Sequence, residues 1–256
     1  MKGWYAVFRK ETANFFVSPI AYAVIAIFLL IAGFFFYAHL SLLSLISLQA
    51  ANNPMVAERI NFTDVVVRPL IQNLSIILLF VMPLLSMRLL SEEKKSGCIE
   101  LLLTYPITDL GVLVGKFLAA LAVLVVMLAG TVSVPVLLLA FGATEFGPLL
   151  TGYLGLFLMG AAFMSLGMFL SSLTENQIVA AAISFGAALL FWVISWTASI
   201  VGEQSGFVLR QLSIIEHLES FQKGILALPD ISFFVLFTAF FLFLTMRSLE
   251  TYRWKG

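Results

Sequence analysis

Six long apolar segments restrict most strongly what this 256-residue chain can fold into. A helix needs about 20 apolar residues to cross roughly 30 Å of hydrocarbon. Six stretches meet that requirement, at about residues 20–40, 70–87, 112–141, 149–170, 178–201 and 231–246. The chain is 61% hydrophobic and only 11% charged, far from the composition of a soluble domain. The sequence therefore predicts an all-α integral membrane protein with six transmembrane helices, built as a single domain over residues 1–256.

The segment before the first span combines apolar and basic residues. Its apolar positions and one acid recur at three- and four-residue steps, at Trp4, Val7, Phe8, Glu11 and Phe15. Its cations are Lys2, Arg9 and Lys10. This pattern is typical of an amphipathic helix that lies in the membrane interface, here over about residues 2–16. A plain basic leader that only sets orientation is the alternative.

The distribution of arginine and lysine predicts the orientation of the chain. Six spans place both termini on one side, and cytoplasmic loops carry the excess of these cations. The terminal side has ten of them and the opposite side has four, Arg59, Arg68, Arg210 and Lys223. We therefore expect the termini, residues 88–106 and residues 171–177 in the cytoplasm of a bacterium, with the protein in its inner membrane.

Groups that could do chemistry are scarce in the spans. Lys116 lies near the start of the third span, where its side chain could extend toward water, and Arg247 lies at the exit of the sixth. The two histidines, His39 and His217, are predicted to lie in separate loops, without metal-ligand spacing. These observations disfavour a carrier driven by an ion gradient and an intramembrane protease. They predict a non-catalytic chain without a cofactor, and the zero formal charge gives no reason to expect nucleic-acid binding. A self-sufficient secondary carrier or membrane enzyme, and a non-transporting membrane anchor of a larger complex, stay open as alternatives.

Small residues concentrate in the fourth span, at Gly155, Gly160, Ala161, Ala162, Ser165 and Gly167. On membrane helices such residues let backbones approach closely. We expect this span to be a tightly packed interface helix, and not a catalytic one.

A charged island interrupts the apolar chain at residues 88–106. After Gly97, the apolar residues Ile99, Leu102 and Leu103 recur at helical spacing until Pro106 ends the run. The island predicts a short amphipathic helix at a water boundary that presents a face to a partner. In the alternative interpretation, Glu92 and Glu93 with the adjacent lysines are a solvated surface whose charges neutralise one another.

The island also carries a family resemblance. The run E-E-K-K-S-G-C-I-E-L-L-L-T-Y-P, residues 92–106, resembles the segment after the second span of ABC-2 type transporter permeases. Its typical form there is E-x-K-x-x-G-T-x-E-x-L-L-x-x-P, followed by a Gly-Lys pair that matches Gly115 and Lys116. Cys98 departs from the usual threonine.

Further runs resemble the gliding-motility-associated (Gld-type) permease branch. They are the opening R-K-E-T-A-N-F-F-V-S-P-I-A-Y, the turn S-S-L-T-E-N-Q-I-V-A-A at residues 171–181 and the H-L-E-S-F-Q-K-G-I-L stretch within residues 212–230. The permease of the nitrous-oxide-reductase maturation system is a near relative with the same six-span plan.

The resemblance implies a type V exporter-like fold. A second permease copy or a related permease subunit would complete the pathway, and a dimer of ABC ATPase subunits would bind ATP and Mg²⁺. Residues 92–106 would be the coupling helix, with Glu92, Glu93, Lys94, Lys95, Gly97, Glu100 and Leu101 as its docking residues. A second cytoplasmic contact would comprise Ser172, Thr174, Glu175, Asn176 and Gln177. The outer loop at residues 202–230 would carry short re-entrant or interfacial helices, or would be an ordinary connector that meets an extracytoplasmic accessory subunit.

Overall fold

The computed structural model describes residues 3–52, 63–97, 108–133, 136, 146–198 and 203–255. Its α-helices are, in chain order, α1 (Gly3–Val17), α2 (Pro19–Asn52), α3 (Arg68–Ser86), α4 (Arg88–Lys95), α5 (Asp109–Thr131), α6 (Phe146–Leu173), α7 (Gln177–Ala198), α8 (Glu203–Gln211), α9 (Ile214–Gln222) and α10 (Leu228–Lys255). A π-helical turn, Thr63–Val67, leads directly into α3. No strand occurs in these described ranges.

Six stretches of helix are long and apolar enough to cross a membrane. They are Pro19–Gln49, Thr63–Lys95, Asp109–Thr131, Phe146–Leu173, Gln177–Thr197 and Leu228–Tyr252, with mean hydropathy between 1.9 and 2.6 in their most apolar windows. Each overlaps one of the six segments expected from the sequence. The prediction of an all-α integral membrane protein is confirmed.

The first span continues well beyond its expected end, because α2 runs past residue 40 to Asn52. The hydroxyls of Ser41, Ser44 and Ser47 donate to backbone carbonyls three or four residues earlier, at 2.9, 2.7 and 2.8 Å. Serines that bond back in this way are compatible with a continuing helix. His39 therefore lies within a helix, and the expectation that it occupies a loop was wrong. Its Nε2 lies 2.9 Å from Nδ2 of Asn73 on α3.

The centre of the bundle consists of the second, third and fourth spans. Within their most apolar windows, 72%, 61% and 72% of the residues are buried, against 17%, 22% and 17% for the first, fifth and sixth spans. Helix α6 lies in the middle, where it contacts α3, α5, α7, α9 and α10.

Glycines on α6 make this central packing possible. A Cβ atom added at Gly155 would lie 2.8 Å from Cβ of Phe221 on α9, and one at Gly160 would lie 2.6 Å from Cδ2 of Leu124 on α5. A Cβ atom at Gly167 would lie 1.9 Å from Oγ of Ser86. The prediction that the fourth span is a closely packed helix is confirmed.

Helix α1 packs along the start of α5. Its buried residues are Val7, Glu11 and Phe15, and Gly115 of α5 approaches so closely that an added Cβ would lie 2.7 Å from the carbonyl oxygen of Trp4. The chain then turns at Ser18, and Pro19 begins α2 in the first-turn position that proline favours. The location of α1 in the membrane interface stays a prediction.

Two short helices, α8 and α9, occupy the segment before the sixth span. Thr151 on α6 donates to the carbonyl of Phe221 on α9 at 2.7 Å. Gly224 follows α9 at φ +83°, a left-handed conformation that glycine adopts without strain. The second half of this segment is thus tied to the bundle core, as a short helix and not as an extended connector.

Candidate functional site

Helix α4 follows α3 across Met87, which keeps helical backbone angles (φ −55°, ψ −31°), and a serine on α6 bonds to the backbone there. The Ser171 hydroxyl accepts from the backbone N–H groups of Leu90 and Ser91, at 3.2 and 3.0 Å, and donates to the carbonyl of Met87 at 2.8 Å. The first N–H groups of a helix otherwise have no partner inside it. Ser171 therefore fixes the first turn of α4 against the end of the fourth span.

Gly97 ends α4. The N–H of Ser96 donates to the carbonyl of Glu92 at 3.0 Å, and the N–H of Gly97 donates to the carbonyl of Lys94 at 3.2 Å. Gly97 has φ +70°, and nothing lies within 4 Å of a Cβ atom placed on it. The helix thus terminates in a left-handed glycine, the commonest way for a helix to stop. Gly97 is exposed.

A buried ion triad joins α4 to α5 and α1. Nζ of Lys116 on α5 lies 2.8 Å from Oε1 of Glu93 on α4 and 3.0 Å from Oε1 of Glu11 on α1. Lys116 is only 1% exposed. The expectation that its side chain extends to water was wrong, because two carboxylates from neighbouring helices hold its ammonium inside the protein.

The triad also changes the interpretation of the charged island. Glu93 pairs with Lys116, while Glu92 lies 3.4 Å from Arg88 and is half exposed. The adjacent acids and lysines therefore do not neutralise one another, since each acid has a cationic partner elsewhere. Of these docking candidates, Glu92 and Lys95 are exposed and Glu93 is largely covered.

Lys94 connects α4 with the ends of α6 and α10. Its ammonium donates to the carbonyl oxygen of Ser172, and it lies over the ring of Tyr252, 4.6 Å from the ring centroid. The hydroxyl of Ser172 in turn donates to the hydroxyl of Ser248 at 2.9 Å. The main docking segment and the second predicted contact are thus adjacent, joined directly by Lys94 and Ser172.

The turn between α6 and α7 contains the rest of the second predicted contact. Asn176 accepts at Oδ1 from the N–H groups of Ile178 and Val179, at 2.9 and 3.4 Å, and so caps the start of α7. Thr174 accepts from the N–H of Asn176 at 3.2 Å. Glu175 and Asn176 are exposed, and Gln177 begins α7. This turn presents polar groups on the same side of the bundle as α4.

Two predicted docking residues, Glu100 and Leu101, lie outside the described residues, as does the rest of residues 98–106. Sequence reasoning did not find the contacts that Glu11, Ser171 and Tyr252 make at this site. Glu11 had a detectable signal, because it is the one acid among the apolar positions of the α1 pattern. Ser171 had none, since a serine near a span end is ordinary.

A buried histidine–carboxylate pair, His217 of α9 and Asp230 of α10, lies elsewhere in the bundle. Nδ1 of His217 lies 2.6 Å from Oδ1 of Asp230, and Nε2 lies 3.0 Å from the carbonyl oxygen of Gln211. The pair fastens α9 to the start of the sixth span. In the part of the chain that the structure describes, no group of three or more His, Cys, Asp or Glu side chains is placed to hold a metal ion.

The helices and the charged end of the bundle define a multi-pass integral membrane protein with a polar junction at one membrane boundary. Residues 5–249 match the family described as ABC-2 family transporter protein. The chain belongs to this family, and it is a membrane component, or permease subunit, of an ABC transporter. No curated protein matches the chain. The predicted ABC-2 membership is confirmed, and assignment to the gliding-motility-associated branch stays a prediction.

Proposed function

We propose that this chain is the non-catalytic membrane subunit that couples ATP hydrolysis in separate ATPase subunits to export, or to mechanical work, across a bacterial inner membrane. The ATPase dimer would dock on α4 and the residues that follow it, up to residue 106, with the turn at residues 172–177 as the second contact. ATP and Mg²⁺ would be bound by the ATPase.

The observation that carries the proposal is the position of α4 among the helices. Glu93 of α4 pairs with Lys116 of α5, which also holds Glu11 of α1. The backbone of α4 bonds to Ser171 of α6, and Lys94 contacts Ser172 of α6 and Tyr252 of α10. Because this eight-residue helix is linked to several others and continues from the second span, a force on α4 is applied to most of the bundle at once. Its last residue, Lys95, and the two residues that follow it are exposed and available to a partner.

The remaining partners follow from the same proposal. A second permease copy, or a related permease subunit, would cover part of the exposed apolar surface of the outer spans, and membrane lipid would cover the rest. An extracytoplasmic accessory subunit would meet the α8–α9 side. Within the family, the runs of residues described above resemble the gliding-motility-associated branch, and we propose that the chain belongs to it, with the nitrous-oxide-reductase maturation permease as a relative.

The experiment uses Gly97, whose substitution changes backbone conformation without a clash. The chain is co-expressed with the ATPase encoded beside it, and complex yield and ATPase stimulation are measured for wild type, Gly97→Ala and Gly186→Ala. A non-glycine residue at φ +70° costs about 1–2 kcal/mol. We therefore expect Gly97→Ala to redirect the chain after α4 and to reduce both quantities.

Gly186 is the matched control, because nothing lies within 4 Å of its added Cβ and its φ is not in the left-handed region. It lies within α7, away from the proposed docking surface. Equal assembly and equal stimulation in both variants would argue against docking through this segment. Substrate movement by the chain reconstituted alone would favour a self-sufficient carrier instead.

A further inference from the structure

A cleft of about 380 Å³ opens between the ends of α6 and α10, with Lys94 of α4 on its third side. Its volume is within the usual range of small-ligand sites. The proposed function uses Lys94, Ser172 and Tyr252 but gives no role to the other α10 residues that line the cleft, such as Arg247 and Thr251.

The polar lining of the cleft is cationic. Lys94 and Arg247 supply the charges. The lining hydroxyls of Ser172, Ser248 and Thr251 donate to acceptors within the protein. No carboxylate occurs among the described residues that line it. Glu250 does take one nitrogen of Arg247, with Nη1 donating to its Oε2 at 2.6 Å. The cleft is thus suited to an anion.

Both cations keep donors for a ligand. An ammonium has three N–H groups and a guanidinium has five. One N–H of Lys94 is directed at the carbonyl of Ser172, and a single nitrogen of Arg247 is engaged by Glu250. The side chain of Arg247 is 62% exposed, so a ligand can reach it from outside the protein.

The apolar lining indicates which kind of anion fits. Phe169 and Leu173 of the last turns of α6, with Leu244 of α10, form the wall next to the cationic end. Leu173 is exposed, and both helices are candidate spans that end close to this level, at Leu173 and Tyr252. A phospholipid has a charged phosphate joined to apolar acyl chains. The cationic end of the cleft would match the phosphate, and the apolar wall beside it would match an acyl chain. Basic pockets between membrane helices recognise anionic headgroups.

We propose that this cleft binds an anionic glycerophospholipid, with its phosphate between Lys94 and Arg247 and an acyl chain along Phe169, Leu173 and Leu244. The site goes beyond the proposed function, and it requires only that the six helices lie in a membrane. Tyr252 occupies the interfacial level at which tyrosine is enriched.

The test compares lipids and charge variants on the full-length chain. Purified chain in detergent is titrated with phosphatidylglycerol or phosphatidylcholine, and bound lipid is counted by native mass spectrometry. Wild type should bind phosphatidylglycerol more tightly than phosphatidylcholine. Lys94→Gln and Arg247→Gln should each weaken phosphatidylglycerol binding about fivefold. Lys95→Gln is the matched control, because Lys95 is the neighbouring lysine and does not line the cleft.

Two results would overturn the proposal. One is equal binding of the two lipids by wild type, or phosphatidylglycerol binding that is the same in Lys94→Gln, Arg247→Gln and Lys95→Gln. The other is displacement of phosphatidylglycerol by millimolar inorganic phosphate, which would identify a site for free phosphate. Arg247→Gln keeps the test decisive if Lys94→Gln fails to fold, since Arg247 is mostly exposed.

Discussion

Lys116 shows how a single residue can join three helices near a membrane boundary. Its ammonium is held by carboxylates that come from α1 and α4. Removing one partner of a buried ion pair is costly, because the charge left behind has neither water nor a counter-ion. In this triad the loss of the lysine would leave two carboxylates close together.

We expect Lys116→Met to lower the free energy of unfolding by about 3–5 kcal/mol. The measurement is the midpoint of thermal or denaturant unfolding of the purified chain in detergent. Lys223→Met is the control. It removes a lysine that pairs with Glu219 on the surface, where the side chains are 41% and 52% exposed, so its cost should be below about 1 kcal/mol. Similar losses in the two variants would show that the triad does not stabilise the fold.

The triad marks a limit of sequence reasoning at the residue scale. The sequence placed Lys116 correctly near the start of the third span, but Glu11 lies 105 positions away along the chain. Hydrophobic periodicity determines which face of a helix is buried, and it does not determine which distant acid meets a given base. The partners of Ser171 and Lys94 were unpredictable for the same reason.

At the scale of elements, α6 organises the bundle because its small residues leave room for the backbones and side chains of its neighbours. Gly155 and Gly147 lie on this one helix in opposite environments. A Cβ atom added at Gly155 would meet Phe221 and Leu218 of α9, whereas one at Gly147 would have nothing within 4 Å.

Gly155→Ala should therefore destabilise the chain, by about 1–3 kcal/mol, because the added methyl group overpacks the contact with α9. The nearest atom, Cβ of Phe221, is joined to the backbone and cannot move aside as a side-chain end can. Gly147→Ala should leave stability unchanged or raise it, since alanine favours a helix over glycine. Thermal unfolding in detergent measures both variants. A Gly155→Ala chain as stable as wild type would show that α9 can shift away from the added methyl group without loss of stability.

The elements were predicted unequally well. Six spans could be read from the sequence because length and hydropathy alone select membrane helices. The end of α2 could not be read from the sequence. Serines normally weaken the hydropathy signal of a membrane helix, but here their hydroxyls bond back to the helix. The sequence predicted a docking helix over residues 92–106. The structure has a helix from Arg88 to Lys95, and the prediction for residues 98–106 lies outside the described residues.

At the scale of the whole molecule, the chain has a buried centre of three spans and a periphery of three. The peripheral spans expose large apolar side chains, such as Tyr37 at 71%, Leu190 at 72% and Leu236 at 67%. Such surfaces are stable only against lipid or another apolar partner. The sequence predicted the close packing of the fourth span but not this division into central and peripheral spans, because both groups of helices have similar hydropathy.

Orientation is the whole-molecule property that labelling can test. In a Cys98→Ser background, which removes the only native cysteine, Lys95→Cys and Lys223→Cys each introduce one thiol at an exposed position. With the termini in the cytoplasm, a membrane-impermeant maleimide added to intact cells should label Lys223→Cys and not Lys95→Cys. The excess of cations on the terminal side is the physical reason. The reverse labelling pattern would show that the chain has the opposite topology. Labelling of Lys95→Cys after lysis serves as the accessibility control.

The junction of α3 and α4 at Met87 has a mechanical consequence. Met87 keeps helical backbone angles, and its N–H donates to the carbonyl of Pro83 at 3.0 Å. The Ser171 hydroxyl bonds to the carbonyl of Met87 and to the amides of Leu90 and Ser91. The fourth span therefore stiffens the point at which the second span passes into α4. A displacement at the tip of α4 should move the second and fourth spans together, unless it first breaks three hydrogen bonds at a single oxygen.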